Sequence, residues 1–120
     1  ERDKILDVVR TEPKQFQLVL LSIINLTDDK KNKKNKKNYE PIFTGDVYDL
    51  YQDLCKKYKT EPLTQRRVGD IIQEFDMLGI INVRVISKGR GGRMREIKPA
   101  ITDKIKDKVK EIIHQTLNDN

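Results

Sequence analysis

Hydrophobic positions fall in blocks whose period changes along the chain. Ile5, Leu6, Val8 and Val9 form a short apolar cluster that stops at Glu12-Pro13 and reads as the end of an earlier helix. Pro13 suits the first turn of a second helix. From there Phe16, Leu18, Val19, Leu20, Leu21, Ile23, Ile24 and Leu26 follow almost without a polar break. A helix apolar on nearly every face belongs at the centre of a bundle. Residues 28–38 hold no apolar side chain and are expected to form a mobile loop.

Ile42-Phe43, close after Pro41, suits a short edge strand. Thr44 is the N-cap expected for a helix with Val47, Leu50, Tyr51, Leu54 and Tyr58 spaced by three and four. After a turn at Lys59-Thr60-Glu61-Pro62, Thr64 is the next N-cap. It opens a helix with Val68, Ile71, Ile72, Phe75 and Leu78 on one face and Gly79 just past its end. Residues 44–78 thus read as two amphipathic helices on a short connection.

The period then falls to two. Ile81, Val83 and Val85 alternate with Asn82 and Arg84, and alternation returns around Ile97. Between the two runs lies Lys88-Gly89-Arg90-Gly91-Gly92-Arg93, suited to a hairpin tip, so 80–98 reads as a β-hairpin. Thr102 caps a last helix over 102–117, with Ile105, Val109, Ile112 and Ile113 on one stripe. The order of elements predicts a mostly α domain with a small β-hairpin: a winged helix-turn-helix with extra helices at both ends.

The composition of 120 residues suits a single domain. The net charge of +6 suggests nucleic acid, but residues 30–37 carry six lysines and the remainder is neutral. As a solvated loop, that run can touch nothing. A single cysteine, Cys55, excludes an internal disulfide, and with His114 as the one histidine a Cys/His zinc site cannot be assembled. Cys55 reads as a small buried hydrophobe and His114 as a surface helical residue. No stretch reaches the ~18 apolar residues of a membrane helix. No signal peptide is evident, and a chain opening on Glu1 in a helix-like pattern is expected to be a fragment of a longer protein.

Candidate chemistry lies in two places. The second helix of a helix-turn-helix presents its N-terminal residues to the major groove. Here those are Thr64, Gln65, Arg66 and Arg67, with Gly69, Asp70 and Gln73 further along the outward face. Arginine can grip guanine O6/N7, glutamine can match adenine, and threonine can bond a phosphate. Two cations in a helix's first turn oppose its dipole at a few tenths of a kcal/mol each. The hairpin carries Arg84, Lys88, Arg90, Arg93, Arg95 and Lys98 against Glu96 alone. An arginine on a flexible tip can enter a narrow minor groove. The glycines do not form a nucleotide loop, because no Lys-Ser/Thr follows them. The carboxylates at Asp46, Asp49 and Asp53, at Asp70, Glu74 and Asp76, and at Asp103, Asp107 and Glu111 read as salt-bridged helix surfaces. No catalytic constellation is evident.

Leu63-Thr64-Gln65-Arg66-Arg67-Val68, Asp76-Met77-Leu78-Gly79-Ile80-Ile81, Gly89-Arg90-Gly91-Gly92-Arg93 and Glu96-Ile97, read together, give a pattern that resembles a known family. It is that of the C-terminal winged-helix domains of archaeal replication initiators, relatives of the eukaryotic origin recognition complex and its helicase-loading partner. The resemblance is best from about Tyr39 to Pro99. It implies an upstream AAA+ ATPase module that binds ATP and Mg²⁺, with no cofactor in this segment. It also implies binding of double-stranded origin DNA, with the helix after Thr64 in the major groove and the wing in the adjacent minor groove. The implied partners are other initiator subunits and the replicative helicase, the implied location the archaeal cytoplasm at the nucleoid. By position, Thr64, Gln65, Arg66 and Arg67 match the recognition-helix start, and Arg90 and Arg93 the wing. A winged-helix transcription regulator, and a winged helix used for protein-protein interaction, are the alternative readings.

Overall fold

The computed structural model describes residues 2–32, 41–87 and 93–118, with side chains at the ends of these stretches left out. Five helices and three strands follow in the order α1 (Arg2–Thr11), α2 (Lys14–Asn32), β1 (Ile42–Phe43), α3 (Thr44–Lys57), α4 (Gln65–Met77), β2 (Ile81–Ser87), β3 (Arg93–Pro99) and α5 (Asp103–Asn118). The fold is a winged helix, as the element order predicts.

Helix α2 is the axis of the core. Leu18, Val19, Leu20, Leu21, Ile23 and Ile24 are all buried, and the helix packs against α3, α4, α5 and β3. The nearly unbroken apolar run is explained by these neighbours on every side. Polar side chains on α2 turn their bonds inward: Ser22 Oγ donates to Leu18 O at 2.8 Å and Gln17 Nε2 to Val9 O at 2.9 Å.

Two expectations need correction. Helix α2 begins at Lys14, with Pro13 just ahead of it, and continues to Asn32, so Asp28 to Asn32 are helical rather than loop; residues 33–38 lie outside the described residues. Asp28 does not need an apolar side chain to be held, because α5 supplies two lysines. The cluster at Ile5 to Val9 lies on a helix ahead of α2, as expected: α1, which packs on α5. Finally, the N-cap of α3 is Phe43, not Thr44. Asp46 supplies the cap from inside the helix, its Oδ2 accepting from the Phe43 N–H at 3.0 Å.

Strand β1 adds a third, edge strand to the wing, in the order β1-β3-β2. Ile42 pairs with Ile97, and Val83 with the same Ile97 from the other side, both antiparallel. Ile42, Ile81 and Ile97 bury this end of the sheet against the helices. The far end of the hairpin leaves the core, and Val85 is 56% exposed.

A candidate nucleic-acid interface

Helix α4 is fixed at both ends and along one face. At its start, Thr64 Oγ1 accepts from the Arg67 N–H at 3.2 Å, as the spacing predicts. At its end Gly79 has φ +80, Gly79 N–H donates to Asp76 O at 3.1 Å and Ile80 N–H to Phe75 O at 3.0 Å, a glycine-dependent helix stop. Val68, Ile71, Ile72 and Phe75 are buried. Phe75 meets Phe16 of α2 edge to face, with centroids 6.0 Å apart.

The connection before α4 is held by two tyrosines of α3. The Tyr51 ring is fully buried; its hydroxyl accepts from the Leu63 N–H at 2.8 Å and donates to Gln15 Oε1. Gln15 in turn donates to Glu61 O at 2.8 Å. Tyr48 adds a bond from its hydroxyl to Leu63 O at 2.9 Å. Burial pushes the Tyr51 hydroxyl up to about 12, so it stays a neutral donor across the physiological range. The turn itself places Lys59 at φ 54.

The wing is attached to α4 by a carboxylate. Asp76 Oδ1 accepts from the Val83 N–H of β2 at 3.1 Å. Among the described residues Asp76 has this backbone partner and no ion pair, unlike the salt-bridged surface expected for it. Arg84 and Glu96, paired across the strands, lie 3.5 Å apart, with Glu96 nearly buried.

Between α4, the start of α3 and β3 runs a groove of about 590 Å³ lined by Phe43, Thr44, Gly45, Gln65, Arg66, Gly69, Asp70, Met94 and Arg95. Arg95 leans from the wing toward the helix: a methyl group on Gly69 would lie 3.9 Å from its Nη1. Thr64, Gln65, Arg66, Arg67, Gln73 and Arg95 are all exposed. The fold thus brings Gln65 and Arg66 to one groove with Arg95, and keeps Thr64, Arg67 and Gln73 on the same helix beside it. Lys88 and Arg90 lie outside the described residues, and Arg93 is described by its backbone alone. Among the described residues, Arg66, Arg67 and Arg95 carry no ion pair, whereas Arg10 pairs with Asp7 and Arg84 with Glu96.

Sequence reasoning passed over Met94, and it placed Asp70 on the outward face of α4 while reading its carboxylate as part of a salt-bridged surface. Asp70 has no ion pair among the described residues and lines the groove instead. Its place one turn beyond Arg66 was the available signal. The reading of Cys55 holds, since it is buried and unpaired, with its thiol pushed up by burial.

Residues 7–108 match the family model described as CDC6, C terminal winged helix domain. The chain belongs to this family. Its relatives include an ORC1-type DNA replication protein of Pyrococcus horikoshii, 44% identical over 102 residues, which are 85% of this chain and 22% of the relative. Another, ORC1-type DNA replication protein 7 of Halobacterium salinarum, is 45% identical over 84% of this chain and 18% of its own length. The chain therefore spans about a fifth of the family's curated relatives. Among solved structures, the ORC1 protein of Aeropyrum pernix, determined in complex with DNA, superposes with a TM-score of 0.79 at 38% identity, over 96% of this chain and 27% of that one. Cdc6p of Pyrobaculum aerophilum shares the fold, with a TM-score of 0.67 at 18% identity over 93% of this chain and 26% of that one. Among the described residues, no helix is long and apolar enough to cross a membrane, and no group of His, Cys, Asp and Glu could hold a metal ion.

Proposed function

We propose that this domain binds duplex origin DNA as the C-terminal module of a replication initiator. Helix α4 lies in the major groove, and the wing, with Lys88, Arg90 and Arg93, reaches the minor groove beside it. The observation that carries this is the convergence of exposed Arg66 and Arg95 on one groove between helix and wing, with exposed Arg67 next to Arg66 on the same helix, none of the three in an ion pair among the described residues. Surface cations left without a protein partner are available to phosphates and base edges at no cost in broken ion pairs. The Aeropyrum pernix ORC1 structure with DNA supports the same reading. The domain itself acts by binding. ATP and Mg²⁺ chemistry belongs to an AAA+ module elsewhere in the complete protein, which acts in the cytoplasm with other initiator subunits and the replicative helicase.

Titration of fluorescent duplex at several salt concentrations tests this. Binding should weaken steeply with salt, as phosphate contacts release counterions; a flat or absent response points instead to a protein-interaction module. Replacing Arg90 and Arg93 by Ala should weaken duplex binding at moderate salt, and unchanged affinity would remove the wing from the interface. An upstream ligand-binding domain in place of an ATPase would favour a transcription regulator.

A further inference from the structure

Helix α4 turns one stripe outward. With a period of 3.6 residues, Arg66, Asp70, Gln73 and Met77 stand nearly above one another, opposite buried Val68, Ile72 and Phe75. All four are exposed, Met77 at 81%. Asp70 is the one carboxylate in this stripe. It lines the groove together with Arg66 and Arg95 yet pairs with neither among the described residues. A carboxylate presented to DNA opposes the phosphates, so it carries a penalty on every sequence unless a base donor meets it. The exocyclic amine of cytosine is the major-groove donor that suits an acidic acceptor.

We infer that Asp70 is a specificity-determining residue, accepting from a cytosine N4 amine in the major groove and penalising duplexes that offer no donor there. The inference rests on the proposed placement of α4 on DNA and adds to it a selective element. Arg66 and Arg95 supply attraction for any duplex, and Asp70 makes that attraction conditional on sequence. Removing a repulsive group of this kind relaxes discrimination while raising general affinity.

The test is selection of the intact chain and its Asp70→Ala and Asp70→Asn variants on a duplex library randomised across the footprint, with affinities measured for selected and unselected duplexes. Because Asp70 is exposed and its side chain makes no bond among the described residues, both variants should keep the wild-type denaturation midpoint. The wild type should prefer cytosine at one position. Asp70→Ala should lose about 5- to 100-fold of discrimination there, keep the preferences elsewhere, and bind unselected duplex more tightly. Asp70→Asn should move the preference at that position toward adenine, which asparagine matches through N6 and N7. Identical preferences in all three proteins, an evenly spread loss, or a wild type that binds duplex without any base preference overturns the role of Asp70 and leaves DNA binding intact. A wild type with no salt-dependent duplex affinity overturns both.

Discussion

Two regions of this domain hold charge in contrasting ways. Where α2 meets α5, Asp28 sits between Lys106 and Lys110, with both ammonium groups 3.0 Å away, and Asp103 approaches Lys106 at 3.4 Å. The Lys106 side chain is 4% exposed, and its buried charge is met by the carboxylates of half-buried Asp28 and exposed Asp103. Around the groove, Arg66, Arg67 and Arg95 are exposed and have no carboxylate partner among the described residues. The first set of cations holds two helices together; the second has no such commitment among the described residues. Net charge does not distinguish them, and only their pairing does.

Breaking the clasp should give the largest effect on stability. Asp28→Ala leaves Lys106 largely buried with a weaker partner and should cost about 2–3 kcal/mol in denaturant unfolding, with duplex affinity of the folded protein unchanged. Burial alone would raise the Asp28 carboxyl, but the hydrogen bonds and charges of Lys106 and Lys110 outweigh it and hold it below its ordinary value of 3.8. A depressed carboxylate stabilises the fold above its unfolded pKa, and that contribution is lost as pH falls through the folded pKa. The gap between wild type and Asp28→Ala should therefore be full at neutral pH and shrink in acid below about 4, measured as unfolding midpoints across pH.

Tyr51→Phe tests the turn that joins α3 to α4. It leaves the Leu63 N–H and Gln15 Oε1 without their Tyr51 partner and should cost about 1–2 kcal/mol. Because the turn aims α4, duplex affinity should fall as well, which Asp28→Ala should not show. Thr64→Ala removes the cap of α4 and should cost about 1 kcal/mol in the same unfolding assay. A clasp variant that weakened DNA binding, or a turn variant that spared it, would erase the distinction between the regions.

The periodicity of the apolar residues was enough to read the helix-turn-helix, the hairpin and the central place of α2, because burial of one face or of all faces leaves a direct imprint on spacing. The helix-start glutamine and arginines were legible for a related reason: the buried stripe of Val68, Ile71, Ile72 and Phe75 dictates which residues face out. What could not be read is whatever depends on a distant partner. Asp28 looked like loop because the lysines that hold it are some eighty residues away in sequence, and Asp76 looked like surface because its partner is a backbone N–H on another element. The third strand pairing and the approach of Arg95 to Gly69 are of the same kind. Thr44 had the chemistry of a cap, yet Asp46 provides it.

The central claim is that the unpaired arginines of the groove serve DNA and not the fold. Its most direct test is the salt dependence of duplex affinity for wild type and the Arg66→Ala/Arg67→Ala/Arg95→Ala variant, alongside their unfolding midpoints. The slope of log affinity against log salt should become shallower by roughly one to three units, with stability within about 0.5 kcal/mol of wild type. An unchanged slope, or a variant that loses stability instead of affinity, would contradict it.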